Sequence, residues 1–261
     1  MIADDDLAGM TSNPTIFEQA IADTSLYDGD IREAGPDAAP AEVFERLAVA
    51  DIRAACDRFR DRYEATGGRE GYVSIEVSPH LAGDTAGTTE EVHRLWKAVE
   101  RPNVMVKIPG TKEGLPAIRD ALADGININI TLLFSVDRYH EVMDAWFEAM
   151  ETRVSKGEPV DRVFSVASFF VSRVDSKVDA RLHERLDAAE SEAERERIQG
   201  LLGKIAVDNA RIAYAAHEAR FSGERFAALA EAGAMTQLPL WASTSTKNPD
   251  YPDVYYVEAL I

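Results

Sequence analysis

Lys107 is the residue of this sequence whose surroundings most favour chemistry. It lies in the apolar run Val104-Met105-Val106-Lys107-Ile108, which leads through Pro109 and Gly110 into a helical pattern. Because side chains alternate along a strand, Lys107 faces away from the two valines. Burial disfavours the charged form of a lysine, and an uncharged amine is a nucleophile that can form a Schiff base with a carbonyl substrate. The alternative is a strand-end lysine whose amine reaches water.

Polar side chains at the ends of other apolar stretches could assist such an amine. With the lysine they form one candidate set: Asn13, Glu76, Lys107, Asn129, Thr131 and Ser168. A carboxylate and a hydroxyl can move protons, and a protonated imine withdraws electrons from the adjacent carbon–carbon bond. If the fold brings them together, these residue types predict Schiff-base carbon–carbon chemistry.

Two cations lie just beyond later apolar stretches. Arg173 and Lys247 could hold a phosphate group at the mouth of a site. The alternative is ordinary surface solvation, which is the commoner role of such side chains.

The stretch from Gly125 to Ser135 shows the clearest alternation in the chain. Three isoleucines point one way, and the opposite face carries the polar residues Asn127, Asn129 and Thr131. A strand between two helical segments is typical of a parallel sheet covered on both faces, so these polar groups indicate a polar interior. An edge strand with one solvated face would give the same pattern.

The composition excludes several classes of protein. The chain has 46% hydrophobic and 28% charged residues and a net charge of −18, which favours a globular fold and argues against nonspecific binding to nucleic acid or anionic membranes. No signal segment or long apolar run is evident, and the single cysteine, Cys56, lies in a helical pattern as a core residue, so we expect a soluble cytoplasmic protein. No phosphate-loop, dinucleotide or nucleophile-elbow motif occurs, and the histidines lack metal-ligand spacing: His80, His93, His140, His183 and His217.

Strand and helix patterns alternate along the whole chain, which predicts a single α/β barrel domain over residues 1–261. Seven strands are predicted, near residues 9–11, 73–77, 104–107, 127–131, 163–168, 237–243 and 254–258. A closed (β/α)₈ barrel of the TIM type needs eight, so we expect one strand to be missing, most simply at the ends. The charged segment 176–220 is predicted to be a helical extension. A loop is predicted over 22–40, a long helix over 41–65, and an N-cap at Thr88 or Thr89 for the helix after the second strand.

Three motifs carry a resemblance to the transaldolase family. Residues 9–17, Gly-Met-Thr-Ser-Asn-Pro-Thr-Ile-Phe, resemble its first signature, and residues 104–115, which contain Lys107, resemble the signature around its Schiff-base lysine. Residues 129–135, Asn-Ile-Thr-Leu-Leu-Phe-Ser, resemble the motif of its fifth strand. Segments 176–220 and 241–251 resemble the longer bacterial members.

The resemblance implies a (β/α)₈ barrel that needs no metal or organic cofactor. The reaction would transfer a dihydroxyacetone unit from a ketose phosphate, such as sedoheptulose 7-phosphate or fructose 6-phosphate, to an aldose phosphate in the pentose phosphate pathway. Lys107 matches the nucleophile, and Glu76 and Thr131 match the pair that moves protons through a water molecule. The remaining matches are substrate contacts: Asn13, Asn129, Ser168, Phe170, Arg173 and, where many members carry arginine, Lys247.

The sequence departs from the family pattern at both ends. The family places a catalytic aspartate on a first strand that precedes the motif at residues 9–17 by a helical connection, and only ten residues precede Thr11 here. Asp4, Asp5 and Asp6 lie in a different context from that aspartate, and we expect the closing C-terminal helix of the family to be absent after Ile261. The alternatives to a transaldolase are therefore another Schiff-base aldolase, such as a fructose 6-phosphate aldolase, and a catalytically impaired barrel fragment, whose open strand edges would favour association with a second copy.

Overall fold

A six-stranded, wholly parallel sheet organises the structure. The computed structural model describes residues 2 and 6–260. The strands lie in chain order across the sheet and curl into a half-barrel. Their bounds are β1 Gly9–Thr11, β2 Tyr72–Glu76, β3 Val104–Pro109, β4 Ile128–Leu133, β5 Ser165–Phe170 and β6 Leu238–Ala242.

Helices connect the strands and cover one face of the sheet. Their bounds are α1 Pro14–Ala22, α2 Asp28–Ala34, α3 Pro40–Arg58, α4 Arg60–Ala65, α5 Thr85–Val99, α6 Gly114–Ala123, α7 Val136–Ser155, α8 Ser172–Asp187, α9 Glu192–Gln199, α10 Ile205–Phe221, α11 Glu224–Glu231 and α12 Tyr255–Leu260. A short 3₁₀ helix lies at Pro79–Leu81. No helix in the part of the chain that the structure describes has the length and apolar character needed to cross a membrane.

The main hydrophobic core lies between the sheet and the helices. On β3, Val104, Val106 and Ile108 are fully buried in this core, whereas Lys107 points to the opposite, concave face. The same alternation on β4 places Ile128 and Ile130 in the core. Burial of such β-branched side chains against the helices fixes the register of the sheet, so the polar side chains necessarily share the concave face.

Six of the seven predicted strands are confirmed, and the seventh prediction is wrong. Residues 254–258 were expected to form a strand but fall within or beside helix α12. Tyr255 and Tyr256 have high strand propensity, yet Tyr255 donates a hydrogen bond to the carbonyl of Gly203 and Tyr256 donates one to Asp175. Tertiary contacts thus override a local preference.

Smaller differences concern helix boundaries. The predicted loop 22–40 contains α2, and the predicted long helix over 41–65 is divided at Phe59 into α3 and α4. The N-cap of α5 is Asp84, whose carboxylate accepts from the Gly87 amide at 3.0 Å, while Thr88 and Thr89 lie inside the helix. The segment 176–220 is helical as expected, but it contains parts of three helices, α8 to α10.

Candidate active site

Lys107 lies at the centre of the concave face, where β3 places its side chain. The residue is 8% exposed, and its Nζ lies 3.0 Å from Oε2 of Glu76 and donates to the carbonyl of Ser12 at 3.3 Å. Glu76 and Lys107 are direct partners in the β2–β3 register. A buried amine is therefore held beside one carboxylate through which it can lose its proton.

A chain of hydrogen bonds crosses the sheet beside the lysine. Asn129, the register partner of Lys107 on β4, donates from Nδ2 to the Ser74 hydroxyl at 3.0 Å. Its Oδ1 accepts from the Ser168 hydroxyl at 2.7 Å. Both ends of the Asn129 amide are used, so its orientation is fixed by the two serines.

Thr131 lies two residues beyond Asn129 on the same face of β4, next to an irregularity in that strand. The register between β4 and β5 shifts between Ile130 and Leu133, and Leu132 adopts a left-handed conformation with φ 60°. Such a bulge re-aims neighbouring side chains. The Thr131 hydroxyl is buried, lines the cavity at the lysine, and has no hydrogen-bond partner among the described residues.

The concave face forms a cavity of about 890 Å³. Eight of the nine predicted site residues line it: Asn13, Lys107, Asn129, Thr131, Ser168, Phe170, Arg173 and Lys247. The ninth, Glu76, lines an adjoining cavity of about 290 Å³, which Asn13 also lines, and it reaches the main cavity through its contact with Lys107. The structure thus brings the predicted residues together, while the role of each one stays a prediction.

The two predicted phosphate contacts lie exposed on the same cavity. The Arg173 guanidinium carbon is 5.2 Å from the centre of the Phe170 ring, a cation–π distance. Lys247 donates from Nζ to the Ser245 hydroxyl at 2.7 Å. Cationic side chains that line a cavity create a local positive field despite the overall charge of −18.

Asn13 has a structural contact as well as a place at the cavity. It is the N-cap of α1, and its Oδ1 accepts from the Ile16 amide at 3.0 Å. The cap leaves its Nδ2 without a hydrogen bond among the described residues, so that nitrogen can donate to a bound molecule.

Asp6, the described member of the acidic run at residues 4–6, does not line the cavity. The Asp6 carboxylate accepts from Arg62 at 2.6 Å, and this hydrogen bond lowers the pKa of Asp6. The other two, Asp4 and Asp5, lie outside the described residues.

Sequence reasoning missed two contributors to the site. Ser12 supplies a backbone carbonyl to Lys107 and donates its own hydroxyl to the carbonyl of Ser74 at 2.8 Å. Ser74 in turn holds Asn129. Strand alternation places Ser74 on the face of Glu76, which is a usable signal, whereas a backbone contact such as that of Ser12 has no signature in residue type.

Within residue 2 and the range 6–260, no group of three or more His, Cys, Asp or Glu side chains is placed to hold a metal ion. Cys56 is fully buried, and burial raises the pKa of its thiol to about 12, as expected for a core residue.

Together these features define a class of protein: parallel α/β proteins that present a lysine amine and a carboxylate on the concave face of a curled sheet. A family model described as "Transaldolase/Fructose-6-phosphate aldolase" matches residues 1–261. Among the similar proteins, the "Transaldolase" of Thermobifida fusca is 50% identical over 262 residues and that of Trichodesmium erythraeum 48% over 263, and each alignment covers 100% of this chain and 69% of the relative. The chain belongs to the transaldolase/fructose-6-phosphate aldolase family.

Proposed function

We propose that this chain is a transaldolase, an enzyme that transfers a dihydroxyacetone unit from a ketose phosphate to an aldose phosphate through a Schiff base on Lys107. The observation that carries this proposal is the buried Lys107 amine with the Glu76 carboxylate 3.0 Å from its nitrogen. Its family and the names of its relatives agree with this assignment.

The geometry suggests how the lysine becomes reactive. The ammonium of Lys107 gives a proton to Glu76, and the free amine attacks the ketone carbon of the donor sugar. Glu76 returns its proton to the hydroxyl of the resulting carbinolamine, and loss of that oxygen as water leaves a protonated imine. The bond between the third and fourth carbons then breaks, its electrons pass to the imine as an enamine, and the proton of the fourth-carbon hydroxyl goes to a base. The aldose formed in this way leaves, and the enamine attacks the acceptor aldehyde in the reverse sequence.

The remaining site residues have roles consistent with their positions. Thr131, whose hydroxyl has no partner among the described residues, would hold the water molecule that carries protons to and from Glu76. The polar contacts to substrate hydroxyls and to the intermediate would come from Asn13 and Asn129, with Ser168 as a phosphate contact and Phe170 lining the site. Arg173 and Lys247 would bind the phosphate of the sugar.

We further propose that residues 1–261 form one domain. The six described strands would be part of the eight-stranded barrel of the family, with helices in the segment 176–220 as an extension. This agrees with a continuous main core that extends from α3 to α11.

A fructose 6-phosphate aldolase activity is the second candidate, because the family description includes it. The two reactions share the lysine, and they differ in the fate of the three-carbon unit. A transaldolase passes it to an aldose phosphate, whereas an aldolase releases it as free dihydroxyacetone. Assays with and without glyceraldehyde 3-phosphate or erythrose 4-phosphate as acceptor therefore separate them.

Borohydride trapping tests the proposal directly. Protein incubated with fructose 6-phosphate and sodium borohydride should acquire a reduced three-carbon or six-carbon adduct on the peptide that contains Lys107. The variant K107A should lose the adduct, and K112A, which removes an exposed lysine five residues away, should keep it. Folded protein that carries no adduct on Lys107 would refute the proposed function.

A further inference from the structure

The segment between β6 and α12 passes beside the cavity and carries Lys247, one of the two cations that we assign to phosphate binding. We name residues 243–254 the strap. At its start, Ser243 is fastened to the first turn of α8: its carbonyl accepts from the Ser172 amide at 3.0 Å, and the two serine hydroxyls are 3.0 Å apart. Lys247 lies in the middle of the strap and lines the cavity.

Two buried carboxylates on α8 hold the far end of the strap. Asp179 accepts from the Tyr251 hydroxyl at 2.7 Å, and Asp175 accepts from the Tyr256 hydroxyl, just beyond the strap, at 2.8 Å. Their other oxygens accept from backbone amides at the start of α10: Gly203, just before the helix, at 3.1 Å for Asp179, and Ala206, in its first turn, at 2.7 Å for Asp175. Being four residues apart, the two aspartates lie on one face of α8.

Simple packing does not explain this arrangement. Asp175 is 1% exposed and Asp179 7%, and neither forms an ion pair within the described part of the chain. Burying carboxylates costs free energy, and burial raises the pKa of Asp175. Apolar side chains would join these elements at lower cost, whereas a carboxylate that accepts two hydrogen bonds fixes position and direction.

The same helix carries Arg173, the other cation that we assign to phosphate binding. Arg173 lies two residues before Asp175, which on an α-helix is about 200° around the axis. Helix α8 therefore presents Arg173 to the cavity on one side and holds the strap through its aspartates on the other. Gly203 adds a close contact, because a Cβ at this position would lie 2.8 Å from the Tyr251 ring.

We propose that Asp175 and Asp179 are positioning residues, which hold the strap through Tyr256 and Tyr251 so that Lys247 and Arg173 bind the same phosphate group. This inference depends on the proposed function only for the identity of the substrate. The strap is expected to set the affinity for the anionic end of the ligand and to leave chemistry at Lys107 unchanged.

Inorganic phosphate is a suitable probe because its binding requires no turnover. We expect Y251F and the double variant Y251F/Y256F to bind phosphate about fivefold to tenfold more weakly than the wild type in isothermal titration calorimetry. K247A should weaken binding to a similar extent, and Y251F added to K247A should have little further effect, since both changes remove the same contact. Y214F is the matched control, because Tyr214 is exposed and its hydroxyl has no hydrogen bond among the described residues.

Kinetics then separate positioning from a general loss of structure. With fructose 6-phosphate as donor, Y251F should raise KM with kcat nearly unchanged, and with unphosphorylated fructose kcat/KM should be unaltered. Equal phosphate affinity in wild type and folded Y251F, or full additivity of Y251F and K247A, would overturn the inference. An absence of trapping on Lys107 together with the expected phosphate pattern would instead refute the proposed function and leave the strap assignment standing.

Discussion

Thr131 combines burial with an unused hydroxyl. The residue is 1% exposed, and its Oγ1 has no protein hydrogen-bond partner among the described residues. A buried hydroxyl that makes no protein hydrogen bond adds little to folding, because it loses its contacts with bulk water without a replacement. Its retention beside Lys107 is most simply explained by chemistry.

The substitution T131V therefore separates stability from activity. Valine has nearly the same shape, so the free energy of unfolding should stay within about 1 kcal/mol of the wild type or increase. The rate of dihydroxyacetone transfer should fall by roughly 100-fold, the usual contribution of one proton-transfer group. Urea unfolding and steady-state kinetics on the same preparation measure both quantities. A large loss of stability with normal kcat would assign Thr131 to the core.

At the scale of single residues, the sequence predicted which side chains share the cavity. Alternation along β2, β3 and β4 was sufficient to place Glu76, Lys107 and Asn129 on one face. It could not predict the contact of Lys107 with the Ser12 carbonyl, which joins residues 95 positions apart. A backbone atom is present at every residue, so residue type carries no information about it.

Among the secondary-structure elements, β2 depends on the glycine that precedes it. Gly71 has φ 82°, and its amide donates to the Ala8 carbonyl at 2.6 Å. A Cβ here would lie 2.7 Å from the Tyr63 amide nitrogen and 2.8 Å from the Phe59 carbonyl oxygen. The tight passage from α4 into β2 therefore requires glycine for both conformation and space.

We expect G71A to lower the free energy of unfolding by about 3 kcal/mol, from left-handed strain and overpacking together. The matched control is G67A, since Gly67 also has positive φ but has nothing within 4 Å of the added Cβ. This control should cost only about 1 kcal/mol. Urea denaturation provides the comparison, and equal costs for the two variants would show that the close contact at Gly71 relaxes freely.

Helix α10 contains a histidine whose surroundings oppose protonation. His217 is 8% exposed, its ring centre lies 4.6 Å from that of Phe221, and burial lowers its pKa below the usual 6.5. As the pH falls through 6.5, His217 becomes protonated in the unfolded chain but stays neutral in the folded chain. The free energy of unfolding therefore decreases on acidification.

As the pH is lowered from 7 to 5, the free energy of unfolding of the wild type should therefore decrease relative to that of H217Q. Below 6.5 the shift should be at most about 1.4 kcal/mol per pH unit, until the folded-state pKa is reached. Denaturation at several pH values measures it, with the exposed His183 as the control in H183Q. A difference that does not vary with pH would mean that His217 is protonated equally in both states.

Six strands were predictable because each is a short apolar run flanked by helical patterns. The error at residues 254–258 has a specific cause, because the hydroxyl groups of Tyr255 and Tyr256 find partners near α8 and α10. Those partners come from 52 and 81 residues earlier in the chain. The N-cap of α5 was misplaced for a local reason, since Asp84 and Thr88 are both capping residues and the prediction began the helix one turn too late.

For the molecule as a whole, the edges of the sheet affect solution behaviour. Within the described residues, β1 and β6 each have a strand partner on one side only, and Leu238 and Leu240 on β6 are 42% and 37% exposed. Exposed apolar edge strands favour pairing with another chain, whereas a net charge of −18 opposes it by repulsion.

We therefore expect association with a second copy that strengthens as salt screens the charge. Size-exclusion chromatography with light scattering should give a mass above 28.7 kDa that increases with salt. A monomer of 28.7 kDa at every salt concentration would contradict this prediction.

The position of Lys107 also has a consequence for the fidelity of folding. A slip of β3 by one residue would exchange its two faces. The Lys107 ammonium group would then enter the hydrophobic core, while Val104, Val106 and Ile108 would turn towards the cavity. An unpaired charge in that core costs far more than a misplaced aliphatic side chain. The reactive lysine thus makes an incorrect register of β3 unfavourable even in the absence of substrate. Its replacement by leucine or methionine should remove both the amine and this free-energy cost of mispairing.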